Sequence, residues 1–156
     1  MLPASVITIA KQADFIIHAG DFTSLDCLEQ IRGIAPLVAV RGNMDSAALV
    51  ARLPEKTLFE TDGMKIGIVH GSGSHVMAMR LARDAFDRPD LIVFGHTHVP
   101  VIQQLDGVQM INPGSPTQPR SGTGGTAGWV TIDSAGISCR IVHLDGEPNG
   151  GFFVAS

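Results

Sequence analysis

Cysteine is scarce in this chain. Cys27 and Cys139 lie far apart and form no C-x-x-C pair, so the expectation is two buried thiols in a reducing compartment rather than a disulfide framework. Basic clusters are missing as well. Eleven Lys and Arg are scattered against fifteen Asp and Glu, for a formal charge of −4. That balance offers no electrostatic partner to nucleic acid or to an anionic membrane. No apolar run approaches the ~20 residues a membrane helix needs. The opening MLPASVITIAKQAD has no basic n-region, so no signal peptide is expected and the expected location is cytoplasmic. What is present is a globular composition, 44% hydrophobic and 17% charged over 156 residues, enough for one buried core.

Along the chain, residues 3–12 read as a helix with Val6, Ile7 and Ala10 on one face and a proline near its start. "DFIIHAGD" is a short apolar strand ending at glycine. Residues 25–34 have helical spacing, with Ser24 as N-cap. "PLVAVRGN" is a second buried strand closed by glycine, and 46–53 a shorter helix. This β-α-β-α pattern with continuous apolar strands implies a sheet covered on both faces. The second half reads differently. Hairpins are predicted at Asp62-Gly63 and Asp106-Gly107, with a further turn at 134–136. A helix is predicted over 74–86 and a buried strand in "DLIVFGH". Residues 121–128 read as a flexible loop.

Four strand ends share a design: Gly20-Asp21, Gly42-Asn43, His70-Gly71 and Gly95-His96-Thr97-His98. In α/β sheets functional groups gather beyond the carboxyl ends of strands, and glycine there lets the chain turn sharply. Residues i and i+2 of an extended segment point the same way, so His96 and His98 are expected to converge on one pocket. One carboxylate, one amide oxygen and three imidazoles make a mixed N/O donor set, which suits Mn, Fe, Zn or Ni better than Ca or Mg. Taken singly, Asp21 and Asn43 also suit helix caps or Asx turns, and His70 a buried structural histidine.

In order and each after a strand, "GD", "GN.D", "HG" and "GHTH", with "NPGS" at residues 112–115, resemble the motifs of the calcineurin-like metallophosphoesterases, most of all the small bacterial and archaeal phosphodiesterase branch. The resemblance runs from Leu2 to about Leu144. It implies an α/β fold of the αββα two-sheet sandwich type in a domain over 1–146, with 147–156 left as a flexible tail. It also implies a metal-dependent phosphoesterase, acting on a small phosphodiester or phosphomonoester through metal-activated water rather than a side-chain nucleophile. Two divalent transition-metal ions belong to the intact family, Mn foremost, with Ni, Fe or Zn as alternatives. By the resemblance Asp21 bridges the two, Asn43, His70 and His96 complete the second site with Asn43 beside the substrate phosphate, and His98 serves the first.

The chain departs from that pattern in two ways. No Asp is followed two residues on by His, so the family's opening D-x-H strand, an interior strand beside the one ending at Asp21, is expected to be missing. That leaves one metal site half built, with a single ion or partial occupancy and impaired activity, and opens a strand edge that invites homo-oligomers. Met44 stands where many relatives outside this branch have a histidine, so no general acid is assigned. The alternative function is a catalytically silent scaffold of the same fold that binds other proteins, as the retromer subunit with this fold does. Other residues have quieter readings: His18 structural, His75 and His143 at a helix start or the surface, Asp45 as a cap for the helix from Ser46 or a support for Asn43, Met77 and Met79 as helix packing. Arg120 either contacts a phosphate or is solvated.

Overall fold

Ile16 and Ile17 set the architecture. Neighbours in a strand point to opposite faces, and both side chains are completely shielded from solvent, so the strand that carries them must be covered on both sides. That strand is β1 (Ile16–His18). Ile16 packs outward with helices α1 (Ala4–Ala10) and α2 (Leu25–Arg32), while Ile17 packs inward against a second sheet. The computed structural model describes residues 2–120, 124–144 and 152–155.

Those residues form four layers. The first sheet runs β2 (Leu37–Ala39), β1, β10 (Phe152–Ala155), β8 (Thr126–Asp133), β9 (Gly136–His143). The second runs β3 (Lys56–Thr61), β4 (Met64–Val69), β5 (Leu91–Phe94), β7 (Val108–Asn112), β6 (Val101–Leu105). Ile17, Val40, Ile66, Ile68, Val93 and Val130 fill the space between the sheets. The short helix α3 (Ala47–Val50) joins α1 and α2 through Leu49, and α4 (His75–Asp84) covers the other sheet through Ala78, Met79 and Ala82.

Local signals placed most of these elements. Ser24 Oγ accepts the Cys27 N–H at 3.1 Å, the expected cap of α2. Both Asp-Gly hairpins turn where expected, with Asp62 and Asp106 at φ 49° and 50° and the following glycines at 75° and 78°, the left-handed pair that a two-residue turn requires. Both cysteines are free thiols, Cys27 buried and Cys139 half-buried, and burial pushes the Cys139 thiol up to about 12.

Several expectations change. Thr126–Gly128, read as part of a flexible loop, belong to β8; residues 121–123 of that loop lie outside the described residues. β2 is an edge strand and only half-buried. Met79 packs in the core, but Met77 is 54% exposed.

The largest change is at the chain's end. Four residues of the stretch read as a flexible tail form β10, which pairs in parallel with β1 (Ile17 opposite Val154) and antiparallel with β8. Ala19 N–H donates to Ala155 O at 2.8 Å. The open edge expected beside the Asp14–Ala19 strand is therefore filled, and association through that edge loses its basis. The remaining residues of the stretch, 147–151 and 156, lie outside the described residues.

Candidate metal centre

Four strands deliver the expected residues to one rim. Asp21 follows β1, Asn43 follows β2, His70 follows β4, and His96 and His98 follow β5. The approach of the first two is tight: a Cβ on Gly42 would fall on the Asp21 carboxylate and its backbone nitrogen. Gly42→Ala should therefore displace Asp21. Metal affinity is expected to drop by about tenfold or more with the far-UV CD spectrum preserved; unchanged metal binding would count against this packing.

The geometry turns on His70, which is 5% exposed. Its Nδ1 lies 2.6 Å from Ala19 O. A carbonyl only accepts, so Nδ1 carries the proton and the Nε2 lone pair of the neutral ring faces the site. There Nε2 meets two more acceptors, Asn43 Oδ1 at 2.9 Å and Asp21 Oδ2 at 3.3 Å. His96 Nδ1 lies 3.0 Å from the same Asn43 oxygen. Acceptors held this close repel one another unless a positive charge sits among them, either a proton or a metal ion. Ligands ~2.1 Å from one ion and roughly at right angles to tetrahedrally apart are about 3.0–3.4 Å from each other, so the spacing fits a metal. Among the described residues no group of three or more His, Cys, Asp and Glu is spaced for a metal; the convergence becomes visible when the amide oxygen of Asn43, set between His70 and His96, is counted as a donor.

His98 reaches the same cavity by a different route from the expected one. His96 and His98 are not extended: their φ values are 70° and 57°, and Asp21 is at 60°. Left-handed backbone in a non-glycine residue costs about 1–2 kcal/mol. Apart from the two hairpin aspartates, these three are the described non-glycine residues with positive φ, so backbone strain is concentrated at the site. His98 Nδ1 donates to Gln118 O at 3.0 Å, which leaves its Nε2 as an acceptor.

Charges are tuned by the same contacts. Burial raises the Asp21 carboxyl, but the contact with His70 and the hydrogen bond from the Met44 N–H, with the nearby His98 ring, more than offset it and hold it below its usual range. His96 is held low by burial, then by the neighbouring His70 ring and, to a lesser extent, by Arg120 and His98, against the pull of Asp21. Asp45 does not cap the helix from Ser46. Its Oδ2 accepts the Gly42 N–H at 2.7 Å, bracing the turn that presents Asn43, and burial raises its carboxyl despite that bond.

His18 keeps the structural role expected of it. Gly20 N–H donates to its Nδ1 at 3.2 Å, and its ring stacks on Phe22 with centroids 3.9 Å apart. Burial, then the neighbouring His70 ring, lowers it to about 3. The unfolded ring takes a proton near pH 6.5 and the folded ring does not until about 3. Its contribution to stability is therefore complete above pH 6.5 and lost as pH falls toward 3, by up to about 1.4 kcal/mol per pH unit. Denaturation midpoints measured across that window should fall less steeply in His18→Gln. Identical slopes would contradict the assignment. His75 begins α4 and His143 is exposed, as expected.

Asp21, Asn43, His96 and His98 share a cavity of ≈ 610 Å³ with Phe22 and Arg120. His70 stands behind Asn43.

Comparison with known proteins shows the family. The calcineurin-like phosphoesterase superfamily domain matches residues 1–135. A probable metallophosphoesterase of Methanothermobacter thermautotrophicus is 35% identical over 146 residues, covering 91% of this chain and 83% of that protein. Another, from Methanocaldococcus jannaschii, is 37% identical over 122 residues, 76% of this chain but 62% of the relative, less than two thirds of its length. A Thermotoga maritima protein solved by NMR shares the fold with a TM-score of 0.69 at 26% identity, over 91% of this chain and 88% of that one. With its motifs in order and its two-sheet fold in place, the chain belongs to the calcineurin-like phosphoesterase superfamily.

Proposed function

We propose that this protein is a metal-dependent phosphoesterase. It holds one divalent transition-metal ion, Mn²⁺ foremost and Ni, Fe or Zn as alternatives, between Asp21, Asn43, His70 and His96. The observation that carries this reading is the approach of two further acceptors to His70 Nε2, Asn43 Oδ1 at 2.9 Å and Asp21 Oδ2 at 3.3 Å. When bound, such an ion acidifies water and takes up charge on phosphoryl oxygens. The chain's own part is to fix the donors: Ala19 sets the His70 tautomer, and Met44 N–H holds Asp21 Oδ1 at 2.8 Å. Among the described residues no serine or cysteine is hydrogen-bonded to an imidazole, so no side-chain nucleophile is assigned. His98 and Asp21 contribute two protein ligands to a second position. β10, with only Phe, Phe, Val and Ala, adds none, so activity below that of a two-metal enzyme is part of the proposal.

The same feature of β10 favours the other reading, a silent scaffold that binds other proteins. It restores the sheet without restoring a D-x-H. The convergent donors supply a site that hydrolysis requires, which favours the enzyme. Hydrolysis of bis(p-nitrophenyl) phosphate with Mn²⁺, abolished by EDTA, tests between the two. Tight metal binding with no turnover under any of the four metals would favour the scaffold.

Within this proposal, His96→Ala should lower metal content more than His98→Ala, because His96 serves the more complete site. Metal analysis of the two variants checks it. Equal losses would mean that both histidines bind a single ion.

A further inference from the structure

The loop after β7 is fastened to the histidine segment at both ends. At its start, the fully buried Asn112 donates from Nδ2 to Gly95 O at 2.8 Å and to Thr97 Oγ1 at 3.0 Å. At its end, His98 Nδ1–H donates to Gln118 O at 3.0 Å, and Arg120 N–H donates back to His98 O at 3.4 Å. These reciprocal bonds fix the Arg120 backbone beside His98, although the side chain itself is exposed.

That side chain lines the cavity of the proposed metal centre, where it is the one Lys or Arg among the described lining residues. Arg32, Arg41, Arg52 and Arg80 are each in an ion pair with Glu or Asp, and Arg83 donates to backbone carbonyls; Arg88 and Arg140 have no ion pair among the described residues either, but they do not line this cavity. Among the described residues the Arg120 guanidinium has no carboxylate within ion-pair distance. Asp21, the cavity's single described carboxylate, is already engaged by His70 and the Met44 N–H. A guanidinium without a carboxylate partner among the described residues is repelled by a divalent cation beside it, and the two are reconciled when an anion enters between them. A planar fork of N–H donors matches the oxygens of a phosphoryl group.

We propose that Arg120 is a phosphate-binding residue, holding non-bridging oxygens of the ester on the side of the cavity where His98 lies; this rests on the phosphoesterase reading. The test is calorimetric binding of inorganic phosphate to the Mn²⁺-loaded protein, for wild type, Arg120→Gln and Arg120→Lys, with bis(p-nitrophenyl) phosphate kinetics alongside. Because the side chain is exposed, the variants should fold and retain their metal.

Loss of charge-assisted hydrogen bonds should weaken phosphate binding by about 10- to 100-fold in Arg120→Gln, with Lys restoring part of it. KM should rise more than kcat falls. If Arg120→Gln binds phosphate as wild type does while wild type turns over substrate, the role of Arg120 is overturned and the phosphoesterase reading stands. If wild type neither binds phosphate nor turns over substrate, both fall together.

Discussion

Asp21→Asn should strip the protein of its metal while leaving its thermal stability nearly unchanged. Asparagine has the shape of aspartate and tolerates left-handed backbone, so the φ of 60° at this position survives. Its oxygen can still accept the Met44 N–H. What disappears is the negative charge 3.3 Å from His70 Nε2, the only carboxylate among the proposed donors. We expect metal affinity to fall by about 100-fold, the upper end of the range seen when the surroundings of a metal are altered, and hydrolysis to fall with it. Metal content by elemental analysis, beside a melting curve, separates this outcome from unfolding. Full metal occupancy in the variant would show that Asp21 is not a ligand.

Val154→Asp should unfold most of the protein. Val154 is completely buried between the sheets, packed with Ile17, Ile111 and Val130, in a strand bonded on one side to β1 and on the other to β8. An unpaired charge there costs about 3–5 kcal/mol, against a total stability of roughly 5–15 kcal/mol for an ordinary domain. Were 152–155 a loose tail, the same change would move stability by less than about 0.5 kcal/mol. Urea denaturation distinguishes the two. Hydrogen exchange offers a gentler check, because the Ala19 amide, bonded to Ala155 O, should be among the slowly exchanging sites in wild type.

The contrast between Asp62-Gly63 and β10 shows what the sequence could convey. A hairpin is written in adjacent residues: the dipeptide needs positive φ twice, and the flanking strands pair with each other. β10 pairs with β1 at the opposite end of the chain, and four apolar residues after a Gly-rich stretch do not state which partner they will find. The rim residues were legible because glycine and a donor recur after each strand. The way they converge was not. Extended geometry was expected at His96 and His98, yet both are left-handed, held by the Asn43 and Gln118 contacts respectively. Of the two roles open to Asp45, the sequence could not choose the support of Asn43 over the cap for a related reason. A carboxylate beside a helix start suggests a cap, while its actual donor, Gly42 N–H, belongs to a turn whose shape depends on Asp21 packing against it.

The central claim is that one cation belongs among His70 Nε2, Asn43 Oδ1 and Asp21 Oδ2, and counting the ions tests it most directly. Metal-stripped protein titrated with Mn²⁺, with bound and free ion separated by equilibrium dialysis, should take up about one equivalent per chain with a single tight transition. That transition should disappear in Asp21→Asn. No tight uptake of Mn²⁺, Zn²⁺, Ni²⁺ or Fe²⁺, or two equally tight equivalents in wild type, would contradict the account.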